Sequence, residues 1–208
     1  MSAPHSHLHR VAEPQSFAFS PENLARAKTL IARYPAGRQA SAVMGLLDLA
    51  QRQCGGWLPR VAMDHVAQML DMAPIRVYEV ATFYTMFNLT PVGRHHVQIC
   101  RTTPCWLRGS DELRKTCERK LGIGPHEVTP DGQFSLIEVE CLGACVNAPV
   151  VQINDDFYED LDPKRLEAVL DALARGEKPE IGSQTGRQGS APEGGPTTLA
   201  KVGAKAGE

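Results

Sequence analysis

The sequence predicts an α+β chain in which a helical bundle precedes an α/β domain built on a mixed sheet. Three observations carry this reading. From Pro21 to Phe87, apolar residues recur at helical spacing, with helix-stopping stretches between the runs. After Pro91 the pattern changes to short alternating runs rich in β-forming residues, at His96–Cys100 and Phe134–Val139. Each of those runs leads directly into a loop that carries paired cysteines, CRTTPC and CLGAC.

The 208 residues are 42% hydrophobic with a net charge of -2, an ordinary balance for a folded chain. There is no basic excess to argue for nucleic-acid binding, and no apolar run long enough for direct membrane insertion. We expect a leader over residues 1–19, a helical bundle over 20–90, the α/β domain over 91–180 and an extended or disordered tail over 181–208. The leader lacks the apolar core of a secretory signal, so a reducing compartment is expected. His5, His7 and His9 read as part of a polar segment rather than a metal site.

Ser20-Pro21-Glu22 marks the first helix start, with a capping hydroxyl, a proline suited to the first turn and an acid at the positive end. That helix should run to about Arg33, and a second should cover Ser41 to Gln53 before Cys54-Gly55-Gly56. Cys54 reads as a small packed hydrophobe. Arg60 to Leu70 and Pro74 to Phe87 form a helix–turn–helix pattern, but the second helix offers only Arg76 as a basic residue. DNA reading is therefore disfavoured. Tyr78, Phe83, Tyr84 and Phe87 instead make that helix either a packed core element or a protein interface, two readings weighed equally.

The strand at His96–Cys100 should deliver Cys100 to a loop that also holds Cys105. A helix follows from about Gly109 to Leu121, with Cys117 on its packed side beside Leu113 and Leu121. Phe134–Val139, Val150–Ile153 and a short run at Phe157–Asp160 supply further strands, and Pro163 opens a final helix that Gly176 ends. This order suits a thioredoxin-like layer of helices on a mixed sheet. The segment from Gly182 onward is rich in glycine and nearly devoid of apolar side chains, which predicts disorder unless a partner orders it.

If the two cysteine-bearing strands are neighbours, Cys100, Cys105, Cys141 and Cys145 meet at one sheet edge. The C-x4-C and C-x3-C spacings are unusual for zinc, two disulfides would suit a secreted chain, and thiol exchange would want C-x-x-C. A 2Fe-2S cluster accepts several spacings of four thiolates, although a plant-type ferredoxin divides them differently. No nucleotide fingerprint, Walker sequence or hydrolytic constellation accompanies them, so no catalytic residue is assigned. A zinc-stabilised interaction module remains the rival from another class.

At CRTTPC and VECLGACVNAPVVQIND the chain closely resembles the 24 kDa-type iron–sulfur subunits of respiratory complex I, which include the E-type subunits of bacterial NADH-quinone oxidoreductases. The resemblance extends over about residues 18–180, and the tail stretch Gly194 to Leu199 resembles the extended end of the mitochondrial type. It implies a thioredoxin-like ferredoxin domain with one 2Fe-2S cluster on Cys100, Cys105, Cys141 and Cys145. It further implies an electron-transfer subunit of a proton-translocating NADH:quinone oxidoreductase, with no complete active site in this chain. FMN and NADH would lie in a 51 kDa-type partner, beside the large iron–sulfur subunit of the same peripheral arm. The cluster would sit near FMN but off the main electron path, and has been proposed to hold one electron briefly. The expected place is the cytoplasmic face of a bacterial inner membrane, with the mitochondrial matrix face as alternative. Relatives also serve NAD-dependent formate dehydrogenases and NAD-reducing hydrogenases, but the longer tail and the ECLGACVNAPVVQIND wording favour complex I.

Overall fold

Ser20 ends an extended stretch and accepts a hydrogen bond from the Asn23 amide, which starts helix α1 (Pro21–Ile31). A 3-10 turn (Gln39–Ala42) leads into α2 (Val43–Gln53), followed by α3 (Arg60–Met69) and α4 (Pro74–Phe83). These observations come from a computed structural model in which residues 13–192, 194, 195 and 198 are described. The expectations for His5, His7 and His9, and for most of the Gly194 to Leu199 stretch, lie outside the described residues. The chain forms two compact units, Met1–Val92 and Gly93–Glu208.

Leu46, Leu47, Leu58, Val66 and Val77 are fully buried at the centre of the first unit. Each such side chain contributes about 1.5–3 kcal/mol by leaving water. The fourth helix ends four residues before the expected Phe87. Tyr84 adopts extended backbone, and the Gln51 amide explains why. It donates to the Met86 carbonyl at 3.0 Å and accepts from the Asn88 N–H at 2.7 Å. Asn88 in turn donates to the Gly56 carbonyl at 2.9 Å. These bonds pull the chain across α2, drop Phe87 into the core and leave Phe83 77% exposed. The stretch expected to be wholly core or wholly interface is therefore divided: Val77, Ala81 and Phe87 are core, whereas Phe83, Tyr84 and Met86 face solvent.

The second unit opens on β1 (His95–Cys100), followed by α5 (Thr103–Leu107), α6 (Ser110–Leu121), β2 (Glu127–Val128) and β3 (Phe134–Val139). A 3-10 turn (Cys145–Asn147), β4 (Val151–Ile153), β5 (Asp156–Glu159), α7 (Pro163–Ala174) and β6 (Gly182–Ser183) complete it. The sheet order is β2-β3-β1-β4-β5-β6. Strands β1 and β3 run parallel, as do β5 and β6, while the other neighbours are antiparallel. Val97, Ile99 and Leu136 from the sheet meet Leu113, Leu166 and Leu170 from α6 and α7 in the second core. Asp162 caps α7 by accepting from the Arg165 amide at 2.7 Å.

Two short strands, β2 and β6, add to those the sequence predicts. The first pairs along β3, and the second begins the segment predicted to be extended or disordered. Residues just past Gly182 are anchored within the second unit: Ser183 pairs with Glu159, and Arg187 and Ser190 make hydrogen bonds to residues 146, 147 and 160. The anchoring is polar, which is why a search for apolar burial misses it.

Candidate metal centre

Cys100 ends β1 directly opposite Val139, the last residue of β3. Because the two strands are parallel neighbours, the chain leaves both at the same sheet edge. Cys105 follows from the first exit and Cys141 from the second. Cys105 lies not in an open loop, as expected, but within α5, whose start Pro104 favours by its fixed φ. Gly143, between Cys141 and Cys145, takes φ +84°, a conformation natural to glycine. The loop so turned directs the Gly143 N–H to the Cys141 Sγ at 3.4 Å.

The two loops share one apolar pocket. Cys100 and Cys105, each 1% exposed, pack with Ala148 and Val150, and Leu142 and Ala144 from the second loop close over them. Cys141 is exposed and Cys145 half-buried, with their sulfurs 3.6 Å apart. The Thr102 hydroxyl lies 3.4 Å from the Cys100 Sγ and also helps hold the Cys141 thiol below its ordinary value. Nothing in the sequence separates Thr102 from its neighbours in CRTTPC, so its role emerges only from the fold. Arg101 joins the rims of the two loops through a 3.3 Å ion pair with Glu140. Both groups are largely exposed, so this pair adds little stability.

The thiols shift one another's titration in opposite directions. Burial opposes a thiolate at Cys100, but the Thr102 hydroxyl and the Leu142 and Thr102 amides outweigh it and hold this thiol below its ordinary value. Burial, then the hydrogen bond with Cys100, pushes Cys105 up to about 12, and the charges of Cys100 and Cys145 add to the effect. The Gly143 N–H, followed by the Cys145 thiol, holds Cys141 down, while the neighbouring Cys141 pushes Cys145 up. Four thiolates this close repel one another unless a cation stands among them.

The donor set fits an iron–sulfur group. The 3.6 Å between Cys141 and Cys145 approaches the separation of about 3.8 Å for two sulfurs on one tetrahedral metal with ~2.3 Å bonds. It is far beyond a disulfide bond of about 2.0 Å. Among the described residues, no three His, Cys, Asp or Glu side chains close around a single ion. A binuclear cluster asks for only two thiolates on each iron, and two pairs are what the strands deliver. Cys117 stands apart in α6, where it is buried in the second core and burial pushes its thiol up to about 12. Cys54 caps the end of α2 in the first unit.

A family model described as thioredoxin-like [2Fe-2S] ferredoxin matches residues 27–174. The chain belongs to this family. Membership makes it an iron–sulfur protein of thioredoxin-like fold, in agreement with the mixed sheet and its flanking helices. Among members, it is 63% identical to the E-type subunit of the Rickettsia bellii NADH-quinone oxidoreductase over 158 residues, covering 76% of this chain and 95% of that protein. It is 52% identical over 187 residues to the mitochondrial NADH dehydrogenase [ubiquinone] flavoprotein 2 of Dictyostelium discoideum, covering 90% of this chain and 76% of that protein. An NAD+-reducing [NiFe]-hydrogenase structure superimposes with a TM-score of 0.56 at 23% identity, over 64% of this chain and 23% of that one, a likeness of fold alone.

Proposed function

We propose that the chain is the electron-transfer subunit of an NADH:quinone oxidoreductase and holds one 2Fe-2S cluster through Cys100, Cys105, Cys141 and Cys145. The observation that carries this reading is that the adjacent parallel strands β1 and β3 send both cysteine loops out at one sheet edge, where Leu142 and Ala144 of the second loop pack against Cys100 and Cys105 of the first. The named relatives support the assembly: identities of 63% and 52% weigh more for a quinone-linked complex than a 23% likeness weighs for a hydrogenase.

When bound, a 2Fe-2S cluster supplies a one-electron couple. The chain's own residues do the rest. Cys100 and Cys105 bind at the dry wall of the pocket, where Ala148 and Val150 exclude water. The Gly143 amide donates to the Cys141 Sγ and the Thr102 hydroxyl lies within hydrogen-bond distance of the Cys100 Sγ, contacts that favour anionic sulfur and tune potential upward. Trp106, Leu107 and Val146, next in sequence to the cysteines, are exposed and offer an apolar rim to a partner. That partner is a 51 kDa-type subunit holding FMN and NADH, with the large iron–sulfur subunit alongside. No helix of the described residues is long and apolar enough to cross a membrane, so attachment on the cytoplasmic side would run through these partners.

Capture of a tagged chain from solubilised membranes of its source tests the assembly. FMN, NADH oxidation and quinone reduction should travel with it. Recovery without flavin, or with formate- or hydrogen-dependent NAD+ reduction instead, would contradict the proposal.

A further inference from the structure

Beyond α7 the chain returns to the cysteine loop. Arg187 donates from Nη2 to the Val146 carbonyl at 2.6 Å, and Val146 directly follows Cys145. The same guanidinium meets the Asp160 carboxylate with two prongs, Nε to Oδ2 at 2.9 Å and Nη2 to Oδ1 at 2.6 Å. The Asp160 side chain is only 7% exposed and that of Arg187 16%. A buried ion pair of this kind is costly to desolvate and survives only with its remaining hydrogen-bonding capacity satisfied.

That capacity is satisfied by the residues next to Cys145. Asn147, itself 1% exposed, donates from Nδ2 to Asp160 at 3.0 Å and accepts at Oδ1 from the Ser190 amide at 2.8 Å. Its backbone carbonyl accepts from the Asp160 amide at 2.8 Å. Ser183 adds a 2.6 Å bond to Asp160. The 3-10 turn that begins at Cys145 is thus held from the outside by a segment that has left the core. Few of the anchored tail residues bury apolar area, so these polar bonds decide where it lies.

We propose that Arg187, oriented by Asp160, is a positioning residue for Cys145: the C-terminal segment straps the second cysteine loop in the geometry its thiols need to bind. This rests on the reading of the four thiols as cluster ligands. Arg187 reaches Cys145 through the Val146 carbonyl and, by way of Asp160, through Asn147.

The test uses the full chain with its cluster, purified anaerobically as wild type, Arg187→Ala, Arg187→Lys and the exposed-pair control Arg175→Ala. Each is challenged with an iron chelator while visible absorbance is followed, and each reduced form is examined by electron paramagnetic resonance. Arg187→Ala should bleach about tenfold faster than wild type, the scale of one lost charge-assisted hydrogen bond, with a broadened spectrum. Arg187→Lys keeps the charge but cannot fork between carboxylate and carbonyl, so it should bleach at an intermediate rate with its melting temperature retained. It carries the test if the alanine variant folds poorly. Arg175→Ala should match wild type. A wild type without iron would sink the ligand assignment itself. A loaded wild type whose bleaching and spectrum are unchanged in both Arg187 variants would overturn the strap alone.

Discussion

Each of the four clustered thiols has a different setting, yet they respond to one another's charge. Replacement of any one of Cys100, Cys105, Cys141 or Cys145 by alanine should therefore abolish most of the bound iron, read as iron per chain and as the spectrum of the reduced state. Cys117→Ala provides the contrast. Its thiol is packed in the second core away from the others, so iron content should hold while stability falls by about 1–2 kcal/mol. If Cys117→Ala loses iron while a clustered variant keeps it, the assignment of ligands is wrong. At this scale the sequence was informative about residue type and spacing, but it left zinc, disulfides and a cluster open. The ligand set came from the resemblance to a known family. Thr102 and Arg187 were illegible because neither carries a spacing signal: one is an ordinary loop hydroxyl, and the other stands 27 positions from the carboxylate it serves.

Elements bring these residues together, and β1 is the one that matters most. Gly93 approaches β3 so closely that an added Cβ would sit 2.3 Å from the Phe134 carbonyl carbon. Backbone cannot yield as a side chain does, so Gly93→Ala should cost about 1–3 kcal/mol, measurable as lost hydrogen-exchange protection in β1 and β3. His96 on the same strand is half-buried, accompanied by Ser135 at 2.8 Å. Burial, then the charge of His126, lowers its pKa from 6.5 to about 4. The unfolded chain thus binds a proton that the folded strand refuses between those values. The stabilising contribution is complete above pH 6.5 and fades as pH falls toward 4. Protection of the β1 amides should drop by about 2 kcal/mol from pH 7 to pH 5, and His96→Gln should flatten that dependence. Strands β1 and β3 were legible because alternation and flanking turns mark them. Strands β2 and β6 were not, since pairing rather than local pattern defines so short a run. The end of α4 was hidden for the opposite reason: PIRVYEVATFYTMF stays helical in pattern past Phe83, and only the Gln51 and Asn88 bonds stop it. Phe83→Ser at that exposed end should change stability by less than about 0.5 kcal/mol, checked by urea unfolding.

As a whole, the molecule combines a helical unit with a sheet unit whose one cysteine-bearing edge gathers its chemistry. In the proposed reading, hydride chemistry belongs to a flavin-bearing partner and this edge handles one electron at a time. The change from helical to alternating pattern after Pro91 made the α+β architecture readable from sequence. The return of the C-terminal segment to the Cys145 loop was unreadable, because glycine-rich polar chain carries no burial pattern. The central claim is that the four thiols hold a binuclear iron–sulfur cluster. Metal and sulfide analysis of the anaerobically purified full chain tests it most directly. The account predicts about two irons and about two acid-labile sulfides per chain, with visible absorption that bleaches on dithionite reduction. A colourless chain with about one zinc and no labile sulfide would contradict it.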